Sequence, residues 1–143
     1  MQDSRNVYLI AAAVLDAIAA LLHLACIVFG APWYRFFGAG ERMAQMAAAG
    51  ERYPTLASSA IAAVLFAWSA YALSGAGVLP QLPLTRWMLC LIAGILVLRG
   101  IAGIPLAFMA SGRSPAFWMW SSAICLVFGA VHLIGLHQVW DRL

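Results

Sequence analysis

The run Val7–Phe29, VYLIAAAVLDAIAALLHLACIVF, decides the fold. A membrane helix needs roughly 20 consecutive, mostly apolar residues. This run has that length, and its only strongly polar side chains are Asp16 and His23. Inside lipid every backbone N–H and C=O must be paired within the segment, so helix is the state open to it. The run continues past Ala20 with no small-residue cleavage site and carries Asp16, so it reads as a span and not as a signal peptide.

Outward from it, three further runs are long enough to cross a bilayer: residues 54–73, 87–110 and 115–139. Composition agrees. The 143 residues are 65% hydrophobic and 9% charged, with a mean hydropathy of +0.93. A soluble domain is about half apolar and about a quarter charged. The expected fold is an all-α integral membrane protein: one domain, residues 1–143, forming a four-transmembrane-helix bundle. Ser114-Pro115 reads as an N-cap followed by proline at the first helical position. Pro54 fits a first turn, and Thr85 is a candidate cap for the third span. Gly75, Gly77, Pro80 and Pro83 break the chain between the second and third spans. Pro105 removes a hydrogen bond and is expected to bend the third.

Four spans put both termini on one side, A, with side B opposite. Arg5, Arg86 and Arg142 fall on side A with the terminal amine, and Arg35, Arg42, Arg52 and Arg113 fall on side B. The positive-inside rule therefore ties and leaves orientation open. All eight basic residues are Arg. Together with the abundant Ala, this suggests a GC-rich bacterial genome and hence the bacterial inner (plasma) membrane. The arginines are scattered and form no stripe for nucleic acid. The expected partners are the lipid bilayer and either further copies of the chain or a larger membrane complex.

Helix contacts in membranes favour small residues. Such stripes are Ala12, Ala13, Asp16, Ala19, Ala20 and His23 in the first span, and Ser59, Ala63, Ala67, Ala70 and Ser74 in the second. The third offers Gly100, Gly103 and Ala107, and the fourth Ser121, Cys125, Gly129 and His132. Between the first two spans lies AGERMAQMAAAGERYP, residues 39–54, with Ala-Gly-Glu-Arg twice. Its pattern predicts one short interfacial helix over about residues 41–49, with Met43, Met46 and Ala47 on the apolar face. Glu41 suits the helix start and Gly50 its end. The helix is too short to span, so it is expected to lie on side B behind Trp33 and Tyr34. As a lid, it would bring Glu41 or Glu51 to the bundle.

An ionised group near the bilayer centre costs on the order of 3 kcal/mol on insertion scales, so intramembrane polar residues face partners or a path. At 1.5 Å per residue from side A, Asp16 lies roughly 13 Å deep, Arg99 roughly 18 Å, His23 roughly 24 Å and His132 roughly 9 to 10 Å. These depths order a polar ladder: His132, Asp16, Arg99, His23. An Asp16–Arg99 pair would fix helix register. The same groups can instead form a substrate or proton path. His23 and His132 differ by roughly 14 Å, too far apart to clamp one haem. His132 and His137 point to different faces, so no metal site is expected. Cys26, Cys90 and Cys125 form no CxxC pair. No cofactor is called for.

Three functions fit this pattern: binding or translocation of a proton or small molecule, an accessory subunit of a larger membrane complex, and a membrane-embedded enzyme acting on a lipid or quinone. No nucleophile with an adjacent base can be placed, so enzyme status stays open. The layout resembles that of small multidrug transporters, four short helices with one carboxylate midway along the first, here Asp16. That resemblance implies a transport role for Asp16. It covers layout and not sequence, and Arg99 and the long side-B connection depart from it.

Overall fold

A computed structural model describes residues 5–109 and 112–143. Helix α1 spans Val7–Phe29, α2 Ala31–Phe36, α3 Glu41–Ala48, α4 Arg52–Gly75, α5 Thr85–Met109 and α6 Pro115–Val139, followed by a 3-10 turn, Trp140–Arg142. Among the described residues there is no strand. Four helices, α1, α4, α5 and α6, are long and apolar enough to cross a membrane. Their bounds lie within two residues of the sequence reading, apart from the expected end of the third span at Ala110, which falls outside the described residues.

The caps are local chemistry. Asn6 accepts from the Leu9 N–H through its side chain and starts α1. Ser114 accepts from the Phe117 N–H at 3.2 Å with Pro115 at the first helical position, as its sequence suggests. Thr85 differs from expectation. It is already helical, and its hydroxyl donates to the Leu82 carbonyl at 2.7 Å instead of capping α5. Helix α5 continues through Pro105 to Met109.

The four long helices meet closely only at the end that carries the termini. There Leu9, Ala12 and Ala13 of α1 share a core with Ala72 of α4, Leu89, Ile92 and Leu96 of α5, and Leu136 and Val139 of α6. Gly135 lets α6 lie against Leu9, where an added Cβ would stand 2.7 Å from the Leu9 Cγ. Asn6 ties the same end together. Its N–H donates to the Ala76 carbonyl at 3.0 Å, and its Nδ2 donates to Gln138 Oε1 at 2.7 Å.

Towards the other end this common core divides. Ala20 packs with Ala62 and Leu65 between α1 and α4. Cys26, Tyr34 and Ala44 join α1, α2 and α3. Helices α5 and α6 stay close through Gly100, Gly103 and Gly129, where a Cβ would meet Leu126, Ser122 and Val97. The bundle is therefore two helix pairs, α1/α4 and α5/α6, joined at one end and separated at the other.

The buried stripe of α5 contains Gly100, Gly103 and Ala107 as expected, and that of α1 contains Ala12, Ala13, Asp16 and Ala20, with Ala19 and His23 half-buried. In α4 only Ser74 of the expected stripe is buried. Pro54, Ser58, Ala62, Leu65, Ser69 and Ala72 are buried beside it, out of step with the expected Ser59–Ala63–Ala67–Ala70 line. Small residues surround this helix, so size alone does not choose a face. Hydroxyl partners do: Ser69 Oγ donates to the Ala13 carbonyl at 2.8 Å, and Ser58 Oγ meets the Tyr34 hydroxyl at 2.9 Å.

Candidate functional site

Helices α1 and α6 bring Asp16 and His132 together. Asp16 Oδ2 lies 3.2 Å from His132 Nε2, and both side chains are wholly buried. This is an ion-pair contact, longer than the 2.7–2.9 Å of a tight charge-assisted hydrogen bond. A carbonyl can only accept, so the 2.9 Å contact between His132 Nδ1 and the Phe128 oxygen fixes a proton on Nδ1. Nε2 is therefore the ring atom that faces the Asp16 carboxyl, 3.2 Å from Oδ2. The two groups are close enough to interact as charges, but neither Asp16 oxygen nor His132 Nε2 makes a hydrogen bond of good geometry.

Arg99 does not join this pair, which corrects the expected Asp16–Arg99 contact. Depth along the helix axis allowed it, but helix order does not. Helix α1 packs on α4 and α6, as does α5, so α1 and α5 stand diagonally across the bundle. The Arg99 side chain also extends away from Asp16. Its neighbour Gly100 packs against Leu126, yet its Nη2 donates to Ser121 Oγ at 3.0 Å and its guanidinium lies 5.0 Å from the Trp118 ring. Ser121 and Trp118 are one to two turns nearer the far end. Long cationic side chains take such courses to place the charge nearer water. Arg99 Nη1 is buried without an acceptor.

Between the two helix pairs, in the half where they separate, lies a cavity of about 610 Å³. His23 of α1, Arg99 of α5, and Ser121 and Cys125 of α6 line it. The rest of the wall is apolar, with Leu65 and Trp68 on α4 and Phe128 on α6. Ile61, Val64, Ile95 and Ile124 also line it and are 42–51% exposed, so the cavity is a cleft open through its apolar wall. His23 Nδ1 donates to the Ala19 carbonyl at 2.8 Å, which leaves Nε2 as the ring's other polar atom. Ala19 and Phe128 line the cleft, and Asp16 and His132 sit about one helical turn beyond them. Thus His23 and Arg99 share one cavity, whereas Asp16 and His132 form a separate, sealed pair beyond its floor.

Glu41 and Glu51 are both exposed. Glu41 accepts from Arg35 Nε at 2.9 Å and Nη2 at 2.8 Å. This contact holds the Glu41 carboxyl below its ordinary pKa and raises that of Arg35. Neither carboxylate reaches Arg99 or His23 in the described contacts; Glu41 is already held by a nearer arginine. The connection still covers this end of the bundle by other contacts. Gly38 packs on Phe117, Arg113 Nε donates to the Ala39 carbonyl at 3.3 Å, and the Tyr34 hydroxyl donates to the Pro54 carbonyl at 3.1 Å. Helix α3 leaves Glu41 and Gln45 outside and half-buries Met43, Met46 and Ala47, as the sequence suggests; Ala44, which the sequence did not mark, is its buried residue.

Trp118 and Trp68 were not singled out in the sequence as neighbours of the polar residues. A signal existed for Trp118. It lies three residues before Ser121 on one helical face, in the helix that follows Arg99 across a short turn. Among the described residues no three His, Cys, Asp or Glu side chains gather as a metal site. No protein-family model, curated protein or solved structure matches this chain.

Proposed function

We propose that this chain is an integral membrane protein that takes a lipophilic small molecule into the cleft between its two helix pairs. The cleft carries the reading. Small-molecule sites run about 300–1,000 Å³, mostly apolar with a few placed polar groups, and this cavity has that size and composition. The outer surface supports a bilayer setting. Val28 on α1, and Leu98 and Phe108 on α5, are 78%, 68% and 81% exposed. Soluble monomers rarely show contiguous apolar surface on that scale. Lipid would be the solvent for those faces, and the open wall of the cleft would admit a ligand directly from it. The setting we propose is the bacterial inner membrane.

A second reading is that the Asp16–His132 pair carries one exchangeable proton. Its place one turn beyond the cleft floor favours a coupling of ligand occupancy to that proton, with Asp16, His132, His23 and Arg99 along one route.

The primary reading is tested by titrating the protein, in phosphatidylcholine nanodiscs, with a neutral solvatochromic lipophile. Saturable binding is expected, and Ala60→Trp, which places an indole in the cleft wall, should abolish most of it. Partitioning that never saturates, or binding indifferent to Ala60→Trp, overturns the reading.

A further inference from the structure

The cleft has an electrostatic asymmetry that its apolar wall does not explain. Arg99 is permanently charged and offers five N–H donors in a planar fork. One is used, by Ser121. The Trp118 face attracts the cation but accepts no conventional hydrogen bond. Nη1 is buried with no acceptor.

No carboxylate in the described protein neutralises this charge. Asp16 is held by His132, and Glu41 by Arg35. Glu51 and Asp141 lie exposed at the ends of long helices. A cation within an apolar helix segment costs free energy unless it finds a partner. Here the protein supplies a dipole and a ring but no anion.

We infer that the cleft's ligand is a lipophilic anion: an alkyl chain along the apolar wall, with a carboxylate or phosphate head on the Arg99 guanidinium. This rests on the cleft-binding reading and adds the class of ligand. The other polar groups fit such a head. His23 Nε2 is available on the opposite wall, and it can accept from a protonated acid or, when protonated, donate to an anion.

A separate observation gives the head a route. Trp118 also holds Arg113, whose guanidinium lies 5.8 Å from the ring. Arg113 and Arg42 line a second pocket, of about 350 Å³, with Tyr53 at the end of the bundle. Neither arginine has an acidic partner among the described residues. Cationic side chains therefore lead from the bundle end inwards, Arg42 and Arg113 first and Arg99 last, with Trp118 between the last two.

The test is competition against the neutral lipophile in phosphatidylcholine nanodiscs, using four competitors: a long-chain carboxylate, the alcohol and the quaternary amine of the same chain length, and phosphatidate. The carboxylate should displace the probe at a concentration lower than the alcohol by about tenfold or more, and the amine should be weakest. Arg99→Gln should remove the preference, read as the ratio of the concentrations at which carboxylate and alcohol displace the probe, with its helical circular-dichroism spectrum reporting that the variant is folded. Arg99→Lys should keep part of the preference. If phosphatidate shows the same dependence on Arg99, the anion is a lipid headgroup; if only the carboxylate does, it is a free single-chain amphiphile. Equal displacement by carboxylate and alcohol in the wild type, or a preference that survives Arg99→Gln, refutes the inference while leaving the cleft reading intact. Failure of the neutral probe to bind at all removes both.

Discussion

Consider replacing Asp16 by Leu. Both members of the Asp16–His132 pair are fully buried. The change leaves Nε2 of His132 facing apolar side chains, while Nδ1 stays tied to the Phe128 carbonyl. Breaking a buried pair by removing one partner costs about 3–5 kcal/mol in soluble proteins. Interhelical hydrogen bonds inside membranes average only about 0.6 kcal/mol. This contact is charged or shares a proton, and it has no access to water, so we expect about 3 kcal/mol for Asp16→Leu and a similar loss for His132→Leu. The double variant, with both polar groups gone, should return to within about 1 kcal/mol of wild type. Asp16→Asn is the diagnostic variant. A neutral His132 protonated on Nδ1 presents a lone pair at Nε2, and the Asn amide can donate to it, so this change should cost about 1 kcal/mol or less. The measurement is reversible unfolding in mixed micelles, titrated with sodium dodecyl sulfate, for all four variants. Additive losses in the double variant would show that the two residues are not coupled. An Asp16→Asn loss as large as that of Asp16→Leu would refute the proton placement derived from Phe128.

Two further outcomes follow from the packing and the surface. At Gly135 an added Cβ would stand 2.7 Å from Leu9 Cγ and 3.0 Å from the Leu9 backbone nitrogen, which cannot rotate away. Gly135→Ala should therefore destabilise the bundle by about 1–3 kcal/mol in the same unfolding titration, whereas Gly94→Ala, with nothing within 4 Å, should be neutral or stabilising. The Glu41 carboxyl, held down by Arg35, should titrate below 4.5 by carbon-13 NMR, and Arg35→Gln should return it to the ordinary range. Because the folded value is depressed, the contact's contribution is present above the ordinary carboxylate pKa and lost as pH falls through the lowered one. A Glu41 titration unchanged by Arg35→Gln would mean that the contact is absent in solution.

The unequal legibility of this sequence has a geometric cause. Span positions are one-dimensional: hydropathy along the chain marked α1 and α6 to the residue, and α4 and α5 to within two. Depth is one-dimensional too, and it correctly left Asp16 within reach of His132. Rotation and neighbour order are not linear along the chain. Nothing in the spacing of Asp16 and Arg99 says that α1 and α5 lie diagonally, and the small residues all round α4 erase the usual mark of a buried face. The short helix Ala31–Phe36 was also invisible as a helix, since Trp33 and Tyr34 read only as interface anchors. In the candidate site, His23 and Arg99 stood out because charge is rare in such a segment. Trp118 and Trp68 did not, since aromatics are common throughout this chain and only a fold shows which of them face a cleft.

The Asn6 knot has a mechanical meaning. One residue starts α1, grips the end of α4 and holds α6, all at the same level of the bundle. The far half of the molecule is laid out as two arms, whose tips touch only through the connection, Gly38 on Phe117 and Ala39 on Arg113, among the described residues. From Asn6 to Cys26 the arm is roughly 30 Å long, so a tilt of roughly 5° at the knot moves its tip by roughly 2–3 Å. The width of the cleft is thus tied to an angle at its opposite end, where Asn6, through its backbone N–H and its amide side chain, joins three helices beside their shared apolar core.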